Sequence, residues 1–110
     1  MAAIANLQID QGATFTSDVT VKDANGNAFD LTGYTARAKL AKGYQSTQTR
    51  QDFTTTISNA TSGVVTLSLT ATQTTALDDT RYVYDLEIVN GDVVTRVIEG
   101  LISVRPQVTT

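Results

Sequence analysis

Arg81-Tyr82-Val83-Tyr84-Asp85-Leu86-Glu87-Ile88-Val89-Asn90-Gly91-Asp92 is the stretch that decides the fold. Tyr82, Tyr84, Leu86 and Ile88 alternate with Val83, Asp85 and Glu87. A period of two is the signature of a strand with one face on a core and the other in water. Asn-Gly tolerates positive φ and follows at once, so the strand turns back on itself as a hairpin. If Asn90 and Gly91 form the loop, Val89 opposes Asp92, Ile88 opposes Val93, Tyr84 opposes Val97 and Asp85 opposes Arg96. That register sets an opposite-charge pair across the wet face. It also sets Glu99 opposite Tyr82 on the dry face, the wrong place for a carboxylate. A β-bulge near Glu99-Gly100 would reverse the phase and bring Ile102 and Val104 inward.

The same alternation recurs upstream. Leu7 and Ile9 flank Gln8 in a short leading strand. Phe15 to Lys22 is a strand whose odd positions are mostly apolar. Asp23-Ala24-Asn25-Gly26-Asn27-Ala28 is a turn. Tyr34, Ala36, Ala38 and Leu40 alternate with Thr35, Arg37 and Lys39. Ala41 to Gln51 is a polar surface loop. Phe53, Thr55 and Ile57 resume a strand, Ser58 to Gly63 turns, and Val65, Leu67 and Leu69 form the next strand. Thr70 to Leu77 is the helical candidate. Thr70 with Gln73 fits a capping box, and the segment is too short and threonine-rich to stand alone, so it predicts a brief crossover that tucks Leu77 inward.

These elements predict an all-β fold, an Ig-like two-sheet antiparallel β-sandwich of about seven to nine strands with one short helical crossover. Its expected core is Phe15, Val19, Val21, Leu40, Phe53, Ile57, Val65, Leu67, Leu69, Tyr84, Leu86 and Ile88. Asp78 stands four residues before Tyr82, the spacing of a tyrosine corner. The 110 residues read as a single domain, with 1–6 and 106–110 as terminal arms.

Composition narrows the chemistry. The chain has no cysteine and no histidine, so thiolate metal sites, disulfides and the commonest general base are absent together. The net charge is −3 with 17% charged residues, and the eight Lys and Arg form no run. A nucleic-acid binder needs a basic face, so no nucleic-acid partner is expected. No signal peptide or spanning helix is read, and no membrane partner.

Three constellations invite a site. Asp23, Asn25, Asn27 and Asp30 are spaced like calcium ligands, but Gly26 precedes Asn27 and no distal glutamate follows, so the turn accounts for them. Asp78, Asp79, Asp85, Glu87 and Asp92 read as solvated carboxylates with no partner base or cleft. Tyr34, Tyr82 and Tyr84 alternate into the core, whereas Tyr44 sits in the polar loop as a candidate partner contact. No cofactor and no catalysis are expected. The candidate partner-binding residues are Tyr44, Gln45, Gln48, Arg50, Arg105 and Gln107.

Several stretches carry a family resemblance. They are Ile9-Asp10-Gln11-Gly12-Ala13-Thr14-Phe15, Val21 to Asn27, Asp30-Leu31-Thr32-Gly33-Tyr34-Thr35-Ala36-Arg37, Gly63 to Thr74, Arg81 to Ile88, and Arg96 to Gly100. With these the chain resembles small virion proteins of tailed bacteriophages, especially those of marine and cyanobacterial phages. It is also similar to the N-terminal sandwich domain of phage upper-baseplate proteins. The resemblance implies a non-enzymatic particle component, made in the host cytoplasm and present in the virion. It implies a baseplate, tail or fibre-attachment adaptor that docks with other virion proteins in multiple copies. Capsid decoration is the alternative, and a carbohydrate-binding adhesin module a further one.

Overall fold

A computed structural model describes residues 3–43, 50–78 and 80–108. Among the described residues, nine strands and one helix run in the order β1 (Ala3–Ile4), β2 (Leu7–Asp10), β3 (Phe15–Thr20), β4 (Thr35–Ala41), β5 (Gln51–Asp52), β6 (Thr54–Asn59), β7 (Val64–Leu69), α1 (Ala71–Thr75), β8 (Arg81–Asn90) and β9 (Val93–Arg105). They form two sheets. One has the order β1-β9-β8-β4-β5, with β2 also on β9; the other is β3-β7-β6. The all-β sandwich with one short helix is thus what the alternation predicted.

The core lies between the sheets because each strand buries alternate residues. Tyr82, Tyr84, Leu86 and Ile88 of β8 are buried, as are Val65, Leu67 and Leu69 of β7. Fully burying a Leu or Ile side chain is worth about 1.5–3 kcal/mol, so these two strands anchor the fold. Phe53 joins them, edge-on to Tyr84 with ring centroids 6.1 Å apart. Phe15 and Ile57 are half-buried at the rim of the core, not inside it as expected.

The hairpin differs in register from the sequence reading. Asn90 pairs with Val93, so the loop is Gly91-Asp92. Gly91 alone takes positive φ, +60°, whereas an Asn90-Gly91 loop of the expected type would force Asn90 there as well. Val89 therefore faces Val94, Ile88 faces Thr95 and Glu87 faces Arg96. The bulge exists but falls earlier, at Val97. Beyond it Leu86 faces Ile98, Asp85 faces Glu99 and Tyr84 faces Gly100. The earlier phase change puts Ile98, Ile102 and Val104 in the core and Glu99 on the outer face.

Two boundaries also move. The described part of segment 1–6 is not a free arm: Ala3–Ile4 pairs in parallel with Ile98–Glu99, and Leu7–Asp10 with Ile102–Arg105. Ala5 N–H donates to the Glu99 carbonyl at 2.9 Å, and the Tyr84 hydroxyl donates to the Ala5 carbonyl. One edge of an otherwise antiparallel sandwich is therefore parallel. Ala41 and Gln51, the expected ends of the polar loop, belong to strands instead: Ala41 ends β4 and Gln51 opens β5.

Local signals near the helix hold. Thr70 accepts from Gln73 N–H at 3.2 Å and the Gln73 side chain accepts from Thr70 N–H at 2.8 Å, the reciprocal capping box. Asp78 N–H donates to the Tyr82 hydroxyl at 2.9 Å, closing the tyrosine corner, and Leu77 is buried.

Candidate functional site

The segments that could meet a partner converge at the end of the sandwich that carries α1. Strand directions dictate this: β4 finishes there, β5 and β8 begin there, and β9 ends there. Gln11 stitches the corner. Its side chain donates to the Leu77 carbonyl at 2.8 Å and accepts from Gln107 N–H at 3.1 Å. Thr74 is wholly buried; its hydroxyl accepts from Gly12 N–H at 3.1 Å and lies 2.9 Å from the Ala13 carbonyl and 3.1 Å from the Ala71 carbonyl. Lys42 pairs with Asp78, and that contact raises its pKa above the ordinary lysine value.

Two shallow grooves open at this end. One, of about 430 Å³, is lined by Leu40, Lys42, Arg50, Leu77, Asp78 and Tyr82, among others. The other, of about 480 Å³, is lined by Asp10, Gln11, Gly12, Arg105 and Gln107 among others. Lys42 and Arg50 stand at the first groove and Arg105 at the second.

Of the candidate partner-binding residues, Arg50, Arg105 and Gln107 are exposed and belong to these grooves. Tyr44, Gln45 and Gln48 lie outside the described residues. Sequence reading missed Gln11 and Thr74. Their signals were faint: a glutamine beside the bend at Gly12, and a threonine on the inner side of a helix already full of threonines.

Of the candidate carboxylates, Asp79 lies outside the described residues, and Asp78, Asp85 and Glu87 sit in ion pairs. On the outer face of the larger sheet Arg37 Nε contacts Glu87 Oε1 at 2.8 Å, Lys39 reaches Asp52 at 3.4 Å and Arg96 reaches Asp85 at 3.3 Å. Burial raises the Asp85 pKa above the usual carboxylate value, outweighing the opposing pull of Arg96. At the opposite end, the Asp23 carboxylate is engaged by its own turn, accepting from Asn25 N–H at 2.9 Å and Asn27 N–H at 3.0 Å. Among the described residues no group of three or more acidic, Cys or His side chains could hold a metal ion, and no helix is long and apolar enough to cross a membrane. Every described Phe and Tyr is buried or half-buried, so no aromatic platform is exposed among them.

No family model matches the chain. No curated protein matches it. Likeness is found among solved structures. Listeria monocytogenes InlP aligns at TM-score 0.49 and 14% identity, over 94% of this chain and 28% of that one. The Lin-41 filamin domain aligns at TM-score 0.40 and 14% identity, over 89% of this chain and 82% of that one. The N-terminal domain of phage TP901-1 ORF48 aligns at TM-score 0.57 and 8% identity, over 92% of this chain and 85% of that one, and with it the chain shares its fold.

Proposed function

We propose that this chain is a non-enzymatic structural component of a tailed-phage particle, an adaptor of the baseplate, tail or fibre attachment that docks through the α1 end of the sandwich. The observation that carries the reading is the convergence of 10–13, 50–51, 76–78 and 105–108 around two open grooves, one holding Lys42, Arg50 and Asp78 and the other Asp10 and Arg105. A surface of this kind, mixing apolar and polar groups with arginines, suits docking between proteins. The shared fold with a phage domain supports the setting. The lack of His and Cys, and the use of the sheet carboxylates in cross-strand ion pairs, support action by surface and not by catalysis.

The test is incorporation into particles. The variant Arg50→Ala/Arg105→Ala/Gln107→Ala changes only exposed side chains and leaves the backbone bonds of Arg105 and Gln107 in place, so it folds. Produced in place of the wild-type chain, it should be depleted from purified particles at least about tenfold, the effect of losing roughly 1.4 kcal/mol of docking energy. Wild-type occupancy by a folded variant would refute docking through this end.

A further inference from the structure

The opposite end of the sandwich carries a feature that the docking reading leaves unused. β9 is paired with β8 from Val93 to Ser103 apart from the bulge at Val97, but on its other side β1 starts only at Ile98 and β2 only at Ile102. From Val93 to Val97 that side faces no strand among the described residues. Val93 is 64% exposed and Val94 47%. Native sheets usually guard such an edge with proline, lysine or a covering loop. Here it offers two bare valines.

The sequence of this edge is self-complementary. Asp92-Val93-Val94-Thr95-Arg96 reads acid, apolar, apolar, polar, base. Laid antiparallel against itself about Val94, it sets Val93 opposite Thr95 and Val94 opposite Val94, and brings the loop residue Asp92 to the end of the seam beside Arg96. Backbone direction agrees. A two-residue loop closes on the hydrogen-bonded pair Asn90–Val93, so alternation along β9 points the N–H and C=O of Val93 and Thr95 at β8 and those of Val94 and Arg96 outward. At Val94 the outward groups are the ones this register joins, and Asp92 meets Arg96 through its side chain. Charge agrees too. Within the chain Arg37 faces Glu87 and Glu87 faces Arg96 across the outer face. The second copy's Asp92 would extend that row as base, acid, base, acid. Like charges never fall opposite each other at the new seam.

We propose that two copies of this chain pair edge to edge through Asp92–Arg96 about a two-fold axis at Val94, joining their larger sheets into one. The contact is isologous and is independent of the α1 end and of any phage setting. It is small, so the dimer is weak in isolation and gains from copies held close in an assembly.

Sedimentation velocity of the purified chain, taken up to about 1 mM, tests it. The expected result is a reversible monomer–dimer equilibrium. Val94→Pro removes an N–H that points away from β8, so the hairpin survives and the dimer is lost. Asp92→Lys sets lysine beside Arg96 and weakens the dimer by more than about tenfold. Circular dichroism confirms that both variants are folded. A monomer at every concentration, or a dimer unchanged in both folded variants, overturns the proposal.

Discussion

Arg96 Nε stands 3.3 Å from Asp85 Oδ2, yet the ladder puts Arg96 opposite Glu87 and Asp85 opposite Glu99. The pair reaches diagonally across the bulge at Val97. That bulge is the pivot of the fold. Before it, β9 pairs with β8 on one side only and its own side chains are largely exposed; after it, β1 and β2 join its other side and Ile98, Ile102 and Val104 point inward. The ion pair adds little by itself, since exposed pairs are worth about 0–1 kcal/mol. What matters is which residues the bulge turns inward.

The two neighbours beyond the bulge should therefore respond in opposite ways. Glu99 lies on the outer face beside Asp85, so Glu99→Leu should change stability by less than about 1 kcal/mol. Ile98 is 3% exposed, and Ile98→Glu should cost more than about 4 kcal/mol and unfold the domain. Urea denaturation of the two variants checks this. The reverse order would mean that the bulge lies where Glu99 and Gly100 are.

Tyr84 ties the N-terminal strand to the core. Its hydroxyl donates to the Ala5 carbonyl, and burial pushes its pKa up to about 12 from 10.0. The folded state thus holds a proton that the unfolded state releases first. Stability from this group is whole below pH 10 and is lost as pH rises from 10 towards 12. Tyr84→Phe should destabilise by about 1 kcal/mol at neutral pH and flatten that alkaline fall. Thermal melts from pH 7 to pH 11.5 give both numbers.

Gly100 should tolerate no side chain. A Cβ there would stand 2.2 Å from the Ala5 carbonyl oxygen, which is backbone and cannot swing aside. Gly100→Ala should displace residues 3–6 from β9, at a cost of about 1–3 kcal/mol. Hydrogen exchange should quicken at Ala5, whose N–H bonds to Glu99, and stay slow in β7 and β8.

Thr74 holds the α1 end together. Thr74→Val keeps the shape but strips the acceptor from Gly12 N–H and the donor facing the Ala13 carbonyl. The expected cost is about 1–3 kcal/mol. Thr75→Val is the control: Thr75 is exposed and bonds only back to the Ala71 carbonyl, so little should change.

Much of this molecule was legible in its sequence because period-two alternation dominates it. The strands, the capping box at Thr70, the tyrosine corner at Tyr82 and the burial of Leu77 all follow from local patterns. The hairpin register did not. Asn90-Gly91 and Gly91-Asp92 are both good loops, and the choice depends on keeping Asn90 out of positive φ while the bulge brings Ile98 inward. The parallel seat of Ala3–Ile4 was also invisible. Ile4 is 76% exposed even when paired, so backbone bonds hold the strand there, together with the bond from Tyr84 to the adjacent Ala5, 79 residues away in sequence. At the candidate site, the exposure of Arg50, Arg105 and Gln107 could be read from polar surroundings. The stitching role of Gln11 needed the fold, since its partners Leu77 and Gln107 are 66 and 96 residues away.

The most direct measurement of the central claim is quantitative mass spectrometry of purified, salt-washed particles from cells infected with a phage encoding this chain, combined with cross-linking through Lys42. The account predicts a fixed copy number per particle and cross-links from Lys42, beside Asp78 at the α1 end, to another virion protein. Absence of the chain from washed particles, or cross-links to partners only from Lys22 at the far end, would contradict it.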